Sequence, residues 1–179
     1  SGSSNIRIET CNPTISNTVS RYSSSYGLYL LSGTSATVTD CEVADCNGYG
    51  VYIDGSGSPT VSGTTVRDCV RGLYINTTSS PTISSCDFVN NQYFPIIAFL
   101  QHIPNISGNT FTGNTYQQIA IYSGGTVSTD VTWPAAEIPY LMTSSFEVQG
   151  QDGPDAVTTL TLEPGITLIM QQLRTITIG

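Results

Sequence analysis

Five of this chain's ten tyrosines are spaced like parts of a repeat. Tyr29, Tyr52 and Tyr74 follow one another at nearly equal steps, and Tyr26 precedes Tyr49 by the same interval. A phenol has a flat apolar face and a polar hydroxyl, so a row of them on one outward face can stack on sugar rings. The same row can instead stabilise a sheet by stacking on itself, at roughly 0.2–1 kcal/mol per pair. Asp45 and Asp68 share a second repeat position, so stacked coils bring their carboxylates together. Like charges that close bind a cation or raise one pKa, and Glu42 and Asp87 are expected near the same face. Oxygen ligands of this kind suit Ca2+. The plainer reading is a solvated acidic stripe relieved by Arg67 or Arg71, so no cofactor is expected, with Ca2+ the single candidate. The one histidine, His102, lies just before Pro104 and reads as structural or merely exposed.

The elements that must position these side chains follow from the repeat. The stretch from Ala36 to Ile53 matches the stretch from Pro59 to Ile75 almost residue for residue, at an offset that shortens by one position toward its end. Strands are expected to start at Ile15, Val38, Val61, Ile83, Ile106 and Val127, four of them two positions after Pro13, Pro59, Pro81 and Pro104. Three apolar columns run through successive repeats: Val43, Val66, Phe88, Phe111; then Leu28, Val51, Leu73, Ile96, Ile119; then Leu30, Ile53, Ile75, Ala98, Ile121. Within each repeat apolar and polar residues alternate, with Thr39, Glu42 and Tyr52 outward. Alternation by two with columns at one fixed period means parallel strands stacked in register. Helix pairs would place apolar residues three and four apart. The expected fold is all-β, a parallel β-solenoid with 21–23-residue coils, because one repeat cannot bury its own apolar face.

A further column reads Cys46, Cys69, Asn91, Asn114. An inward Asn at one bend of each coil can satisfy the backbone groups that the bend leaves unpaired. Cys46 and Cys69 come within disulfide range, yet stacked thiols acting as small hydrophobes fit better.

Here the residues resemble a known family, the right-handed parallel β-helix proteins of the pectate-lyase-like superfold. The run from Ile106 to Asn114 looks like that family's consensus half-turn, and Gly50-Val-Tyr-Ile53 and Gly72-Leu-Tyr-Ile75 look like its other strand. The resemblance spans about residues 12–122 and implies the fold rather than a chemistry. It also implies a place outside the cell or on its surface. Its lyases grip calcium with carboxylates beside an Arg or Lys base, and its hydrolases cluster acids in the turn before the Gly-x-Tyr-x strand. Those turns here contain Tyr26, Gly48, Arg71, Tyr93 and Gln117, and no acid. The expectation is therefore a non-catalytic β-helix with a structural, adhesive or carbohydrate-binding role, centred on Tyr29, Tyr52, Tyr74, Tyr26 and Tyr49. A polysaccharide lyase or glycoside hydrolase is the alternative. An ice-binding solenoid would require a flat outward Thr array, and a column read as Thr39, Thr60, Thr82 is interrupted by Ser and Asn.

Residues 1–127 are expected to form the regular coils, and 128–179 less regular terminal coils or a cap of the same domain. After Gly125 the pattern changes: Trp133-Pro134 and Ile138-Pro139 break the register, and Gln151 to Asp155 reads as a turn. Strand-like segments return at Phe146–Val148, Leu160–Met170 and Leu173–Ile178. Five basic against thirteen acidic residues give a net charge of −8, and without a basic cluster no nucleic-acid partner is expected. No apolar run reaches the roughly 18 residues that span a bilayer. Neither end reads as a helical cap, which leads to the expectation of a longer solenoid or of copies stacked end to end, with Trp133 to Asp155 as the alternative cap.

Overall fold

The computed structural model describes residues 3–78, 80–122, 124–150 and 157–179. The expected turn from Gln151 to Asp155 lies outside the described residues. Among the described residues all regular structure is β. The chain winds so that each turn adds a strand to each of several parallel sheets. Sheet 1 has eight strands: Ser4–Ile8, Tyr26–Leu30, Tyr49–Gly55, Arg71–Thr77, Ile96–Phe99, Ile119–Tyr122, Tyr140–Met142 and Leu168–Met170. Sheet 2 stacks Thr14–Ser16, Thr37–Thr39, Thr60–Ser62, Thr82–Ser84 and Asn105–Ser107, and sheet 3 stacks Val19–Arg21, Glu42–Ala44, Thr65–Arg67, Asp87–Val89 and Thr110–Thr112. A parallel β-solenoid of near-constant coil length is therefore present, as the columns require.

The register follows those columns. Leu28 pairs with Val51, Val51 with Leu73, Leu73 with Ile96 and Ile96 with Ile119. Val43 pairs with Val66, Val66 with Phe88 and Phe88 with Phe111, and the last two rings stack at 5.4 Å. The middle residue of each sheet 2 strand points inward, and Val38, Val61, Ile83 and Ile106 are buried. Short strands of Thr, Val and Ile suit this pleated, half-buried setting. Pro13, Pro59 and Pro81, each before a sheet 2 strand, use their carbonyls toward the next coil, as when Thr37 N–H donates to Pro13 at 2.9 Å and Asn105 N–H to Pro81 at 2.9 Å. The missing N–H of each falls where no strand bond is needed.

Two columns of left-handed residues make the corners. Asn17, Asp40, Gly63, Ser85 and Gly108 (φ 49° to 65°) turn sheet 2 into sheet 3. Tyr22, Asp45, Asp68, Asn90 and Gly113 (φ 53° to 68°) turn sheet 3 toward sheet 1. Asn, Asp and Gly tolerate this conformation best. The residue after each corner points inward and satisfies backbone. Asn91 Nδ2 donates to the Val66 carbonyl at 3.1 Å, while its Oδ1 accepts from Cys69 N–H at 3.2 Å. Asn114 repeats the arrangement one coil on, accepting from Asn91 N–H at 3.1 Å and donating to the Phe88 carbonyl at 2.9 Å. A second such column, Cys41, Thr64, Cys86, Asn109, escapes a reading from apolar patterning alone, because its members share only the capacity to hydrogen-bond. Each cysteine of the two columns is a free thiol that donates to the carbonyl two positions back, at 3.2 to 3.3 Å. The thiol reading holds. Burial pushes Cys86 up to about 11, so it stays protonated.

The sixth expected strand start departs from the pattern. Val127 does not join Ile106 in sheet 2 but pairs with Val148, in a separate sheet of Gly125–Val127, Phe146–Val148 and Ile176–Ile178. Val131–Trp133 pairs with Leu160–Leu162 in a further two-stranded sheet. Sheet 1 continues through this region, yet its last step, from Tyr140 to Leu168, takes in more chain than any before it. The wider coils are filled by large side chains: Trp133, Tyr140 and Phe146 are buried, with the Trp133 ring 5.6 Å from Tyr140 and 6.1 Å from Phe146. These rings supply the interior volume that the repeated Val, Ile and Leu columns supply in the earlier coils.

Candidate functional site

The inner face of sheet 1 is apolar, and its outer face carries the tyrosines. In Tyr49–Gly55, Val51 and Ile53 point into the core, so Tyr52 points out; Tyr29 and Tyr74 pair with it from the neighbouring strands. The glycine before each inward residue is required by close approach. A Cβ on Gly27 would strike the Val43 side chain, and one on Gly50 would strike Val66. With no side chain there, the strand bends and swings Tyr26 and Tyr49 onto the outer face beside the main column. All five predicted tyrosines meet. Tyr52 stacks on Tyr74 at 4.8 Å with 21° between the planes, meets Tyr29 edge-on at 5.2 Å, and lies 4.9 Å from Tyr26 and 5.3 Å from Tyr49. Burial pushes the phenols of Tyr29, Tyr49, Tyr52 and Tyr74 up, which favours their uncharged form.

The ladder has polar ends and an apolar continuation. Arg7 lies over Tyr29 at 5.3 Å, and the Tyr29 hydroxyl reaches Asp54 Oδ2 at 3.4 Å. Asp54 also accepts from Asn76 Nδ2 at 3.0 Å. Beyond Tyr74 the column becomes Ile97, Ala120, Leu141 and Ile169. Ile97 and Ala120 are buried although they face outward, because Phe94 packs over them. Phe94 stacks on Tyr116 at 4.6 Å, and Tyr93 lies 6.4 Å from Tyr116. Phe99 meets Tyr74 edge-on at 5.8 Å.

The tyrosine spacing does not reach these later aromatics, because they do not recur at the tyrosine position. Phe99 and Tyr122 pair with each other, extending the outward column that starts at Asp54 and Asn76. Their separation by one full repeat was the available signal.

Two grooves flank the stripe. One of about 420 Å³ is lined by Asp54, Asn76, Phe99, Gln101, His102 and Thr126. The other, about 370 Å³, is lined by Arg71, Tyr93, Tyr116, Tyr122, Leu141 and Thr143. His102 is half-buried, forms an isolated bridge with Phe99, and its pKa is lowered by that burial.

Asp45 and Asp68 sit at the left-handed corner between sheets 3 and 1, which is reason enough for aspartate at both positions. Asp68 is paired to Arg67 at 2.5 Å. Glu42 takes both Arg21 and Arg67 at 2.6 Å, and the Arg67 hydrogen bonds hold its carboxyl below the usual range. Asp87 accepts from Thr110 at 2.6 Å. Arg67 thus relieves the stripe, whereas Arg71, the other expected partner, turns to Tyr49 and Tyr93 instead. Among the described residues no three His, Cys, Asp or Glu side chains form a group able to hold a metal.

The threonine reading needs correction. Thr39 and Thr60 do not share a column. Sheet 2 carries two outward columns in register, Thr14, Thr37, Thr60, Thr82, Asn105 and Ser16, Thr39, Ser62, Ser84, Ser107. The face is uncharged and almost wholly hydroxylated.

No curated protein and no solved structure matched the chain. Among the described residues no helix is long and apolar enough to cross a membrane. The sequence profile described as right handed beta helix region does match, over residues 1–132. That span holds the eight-stranded sheet up to Tyr122, the asparagine and thiol corners and all five tyrosines, and the chain belongs to the right-handed β-helix family.

Proposed function

We propose that this protein is a non-catalytic, carbohydrate-binding β-helix that works outside the cell or at its surface, with the glycan lying along the outer face of sheet 1. The observation that carries the reading is the ladder of Tyr26, Tyr29, Tyr49, Tyr52 and Tyr74, half-exposed and in mutual contact. Amphipathic rings that leave part of their faces to solvent suit a ligand with apolar ring faces and hydroxyl edges. Four of the outward carboxylates are already in use, which supports a role without turnover: Glu42, Asp68, Asp54 and Asp87 each engage an arginine, a phenol, an amide or a hydroxyl. General acid–base work on a glycosidic bond needs a carboxyl pair free to exchange protons.

A glycan array tests the reading. The parent protein is expected to give signal, and joint replacement of Tyr29, Tyr52 and Tyr74 by Ala to remove it while lowering the melting temperature only slightly. Release of reducing ends or unsaturated products from a polysaccharide panel, abolished by Asp45→Asn or Asp68→Asn, would favour the lyase or hydrolase instead. Cell fractionation tests the location.

Sheet 2 favours a second reading. Its hydroxyls repeat about 4.8 Å across strands and about 6.6 Å along them. A repeating lattice of that kind suits a partner that is itself periodic, such as the surface of ice. Inhibition of ice recrystallisation, lost in Thr60→Lys, is the expected outcome; growth of ice crystals unaffected by the parent protein removes this reading.

A further inference from the structure

All the cysteines of the chain are free thiols, and one pair of them stands on adjacent coils. Cys46 and Cys69 follow Asp45 and Asp68, whose φ values of 55° and 53° are nearly equal, so both side chains leave the backbone in the same direction. The two coils are in register on either side of the pair. Ala44 pairs with Arg67 before it, and Val70 N–H donates to the Cys46 carbonyl at 3.0 Å after it. Neighbouring strands lie about 4.8 Å apart, within the Cα separation of roughly 4.4–6.8 Å that a disulfide spans. The other two buried cysteines have no such neighbour, because Thr64 stands between Cys41 and Cys86 and bonds to the coil on each side. Side chains of adjacent coils do reach one another in the Cys46 column: Asn91 Nδ2 donates to Asn114 Oδ1 at 2.9 Å.

Both sulfurs are free to move. The Cys46 thiol donates to the Ala44 carbonyl and the Cys69 thiol to the Arg67 carbonyl. Those carbonyls also accept backbone N–H groups, from Tyr22 and from Asp45, each at 3.2 Å. A thiol that swings away therefore strands no buried acceptor. The sulfurs also act on each other: a hydrogen bond between them lowers the pKa of Cys46 and raises that of Cys69.

We propose that Cys46 and Cys69 form an oxidation site, a dithiol that hydrogen peroxide converts into a disulfide clamping two adjacent coils. Cys46 is 2% exposed and Cys69 0%, so the site admits an oxidant the size of water and excludes a bulky disulfide donor. The Cys46 thiolate attacks one peroxide oxygen; the O–O bond breaks, and hydroxide leaves and takes up the proton that Cys46 released. The sulfenic acid so formed is attacked at sulfur by Cys69. The S–O bond breaks, and the hydroxyl leaves as water with the Cys69 proton. Two thiols and one peroxide thus give one disulfide and two waters, with two electrons passing from sulfur to oxygen. The clamp lies directly behind the tyrosine ladder. A Cβ on Gly27 would come within 2.9 Å of Cys46 Sγ and one on Gly50 within 3.2 Å of Cys69 Sγ, and these glycines adjoin Tyr26 and Tyr49. The proposal stands apart from what those tyrosines bind.

Graded hydrogen peroxide on the intact, folded protein, followed by peptide mapping without reductant, tests the assignment. The expected product is a cross-link between the Cys46 and Cys69 peptides, with two hydrogens lost and regained on treatment with dithiothreitol. Because the disulfide closes a loop one coil long, the melting temperature is expected to rise by roughly 5–15 °C. In Cys46→Ser the same treatment is expected to leave the melting temperature where it was. Cys46 and Cys69 that stay reduced while the exposed Cys11 is oxidised or couples two molecules overturn the proposal. Oxidation of either to a sulfinic acid without a cross-link does the same. A cross-link that forms only in denaturant belongs to the unfolded chain and also overturns it, and one that lowers the melting temperature overturns the clamp. The peptide map of the parent protein needs no variant, so a folding defect in Cys46→Ser does not remove the test.

Discussion

The coils up to Tyr122 and those from Gly125 onward share sheet 1, yet they are closed by different means. In the first region each coil repeats the last at nearly constant length, and inward columns of Val, Ile, Leu and Phe are bounded at the corners by Asn, Thr and thiol hydrogen bonds. In the second the last sheet 1 step, from Tyr140 to Leu168, is the longest, and three large rings, Trp133, Tyr140 and Phe146, occupy the interior. Their polar atoms are tied off singly: Trp133 Nε1 donates to the Leu100 carbonyl at 3.3 Å and the Tyr140 hydroxyl to the Pro134 carbonyl at 2.7 Å. Repetition lets small residues close a coil, because every coil provides the template for the next. Where the template ends, volume must be supplied by individual bulky side chains.

That contrast can be broken at a point in each region. The largest effect is expected from Ile75→Asp. Ile75 is 0% exposed and its column has no polar partner for a carboxylate, so the variant is expected to lose its β-sheet circular dichroism altogether. Next comes Trp133→Ala, at about 3–5 kcal/mol for the loss of a buried indole. If the two regions are separately closed, hydrogen exchange will quicken in Val127, Tyr140 and Val148 while Val51 and Leu73 remain protected. Uniform loss of protection would show one cooperative unit and erase the distinction.

Asn91→Ala sharpens the comparison from the other side. It strands the Cys69 N–H and the Val66 carbonyl in a dry corner, at about 1–3 kcal/mol, and exchange is expected to quicken there first. The smallest effect concerns Glu42, which bridges Arg21 and Arg67 across neighbouring coils of sheet 3. Its folded pKa is lowered from 4.5, chiefly by the Arg67 hydrogen bonds. Its stabilisation is therefore fully present above that unfolded value and is lost as pH falls through the lower folded one. Because the pair is partly solvated, Glu42→Gln is expected to cost less than about 1 kcal/mol at neutral pH and nothing once the carboxyl is protonated. Chemical denaturation at both pH values reads the difference.

The tyrosine ladder was legible because its members obey the same period as the core. Tyr52 had to face outward once Val51 and Ile53 faced inward. The asparagine corner was legible for the same reason, and the second corner was not, since Cys41, Thr64, Cys86 and Asn109 look unrelated until each is seen to hydrogen-bond at one bend. The hydroxyl lattice of sheet 2 was misread by assigning Thr39 to the column of Thr60. Two-residue alternation puts both on one face; the match of Val38 to Val61 already sets Thr37 on Thr60, and the strand pairing shows it.

Taken alone, the amino-acid order determined the period, the inward columns and hence the parallel solenoid, because a repeat that buries one face of every strand admits a single register. It also determined that Tyr29, Tyr52 and Tyr74 share a face. Tertiary structure decided what chain order does not encode. Arg71 turns to Tyr49 and Tyr93 rather than to the acidic stripe, Phe94 folds over Ile97 and Ala120, and Val127 leaves sheet 2 to pair with Val148. Each depends on which side chains meet across coils outside the repeat. Such contacts are set by shape and charge in three dimensions rather than by spacing along the chain.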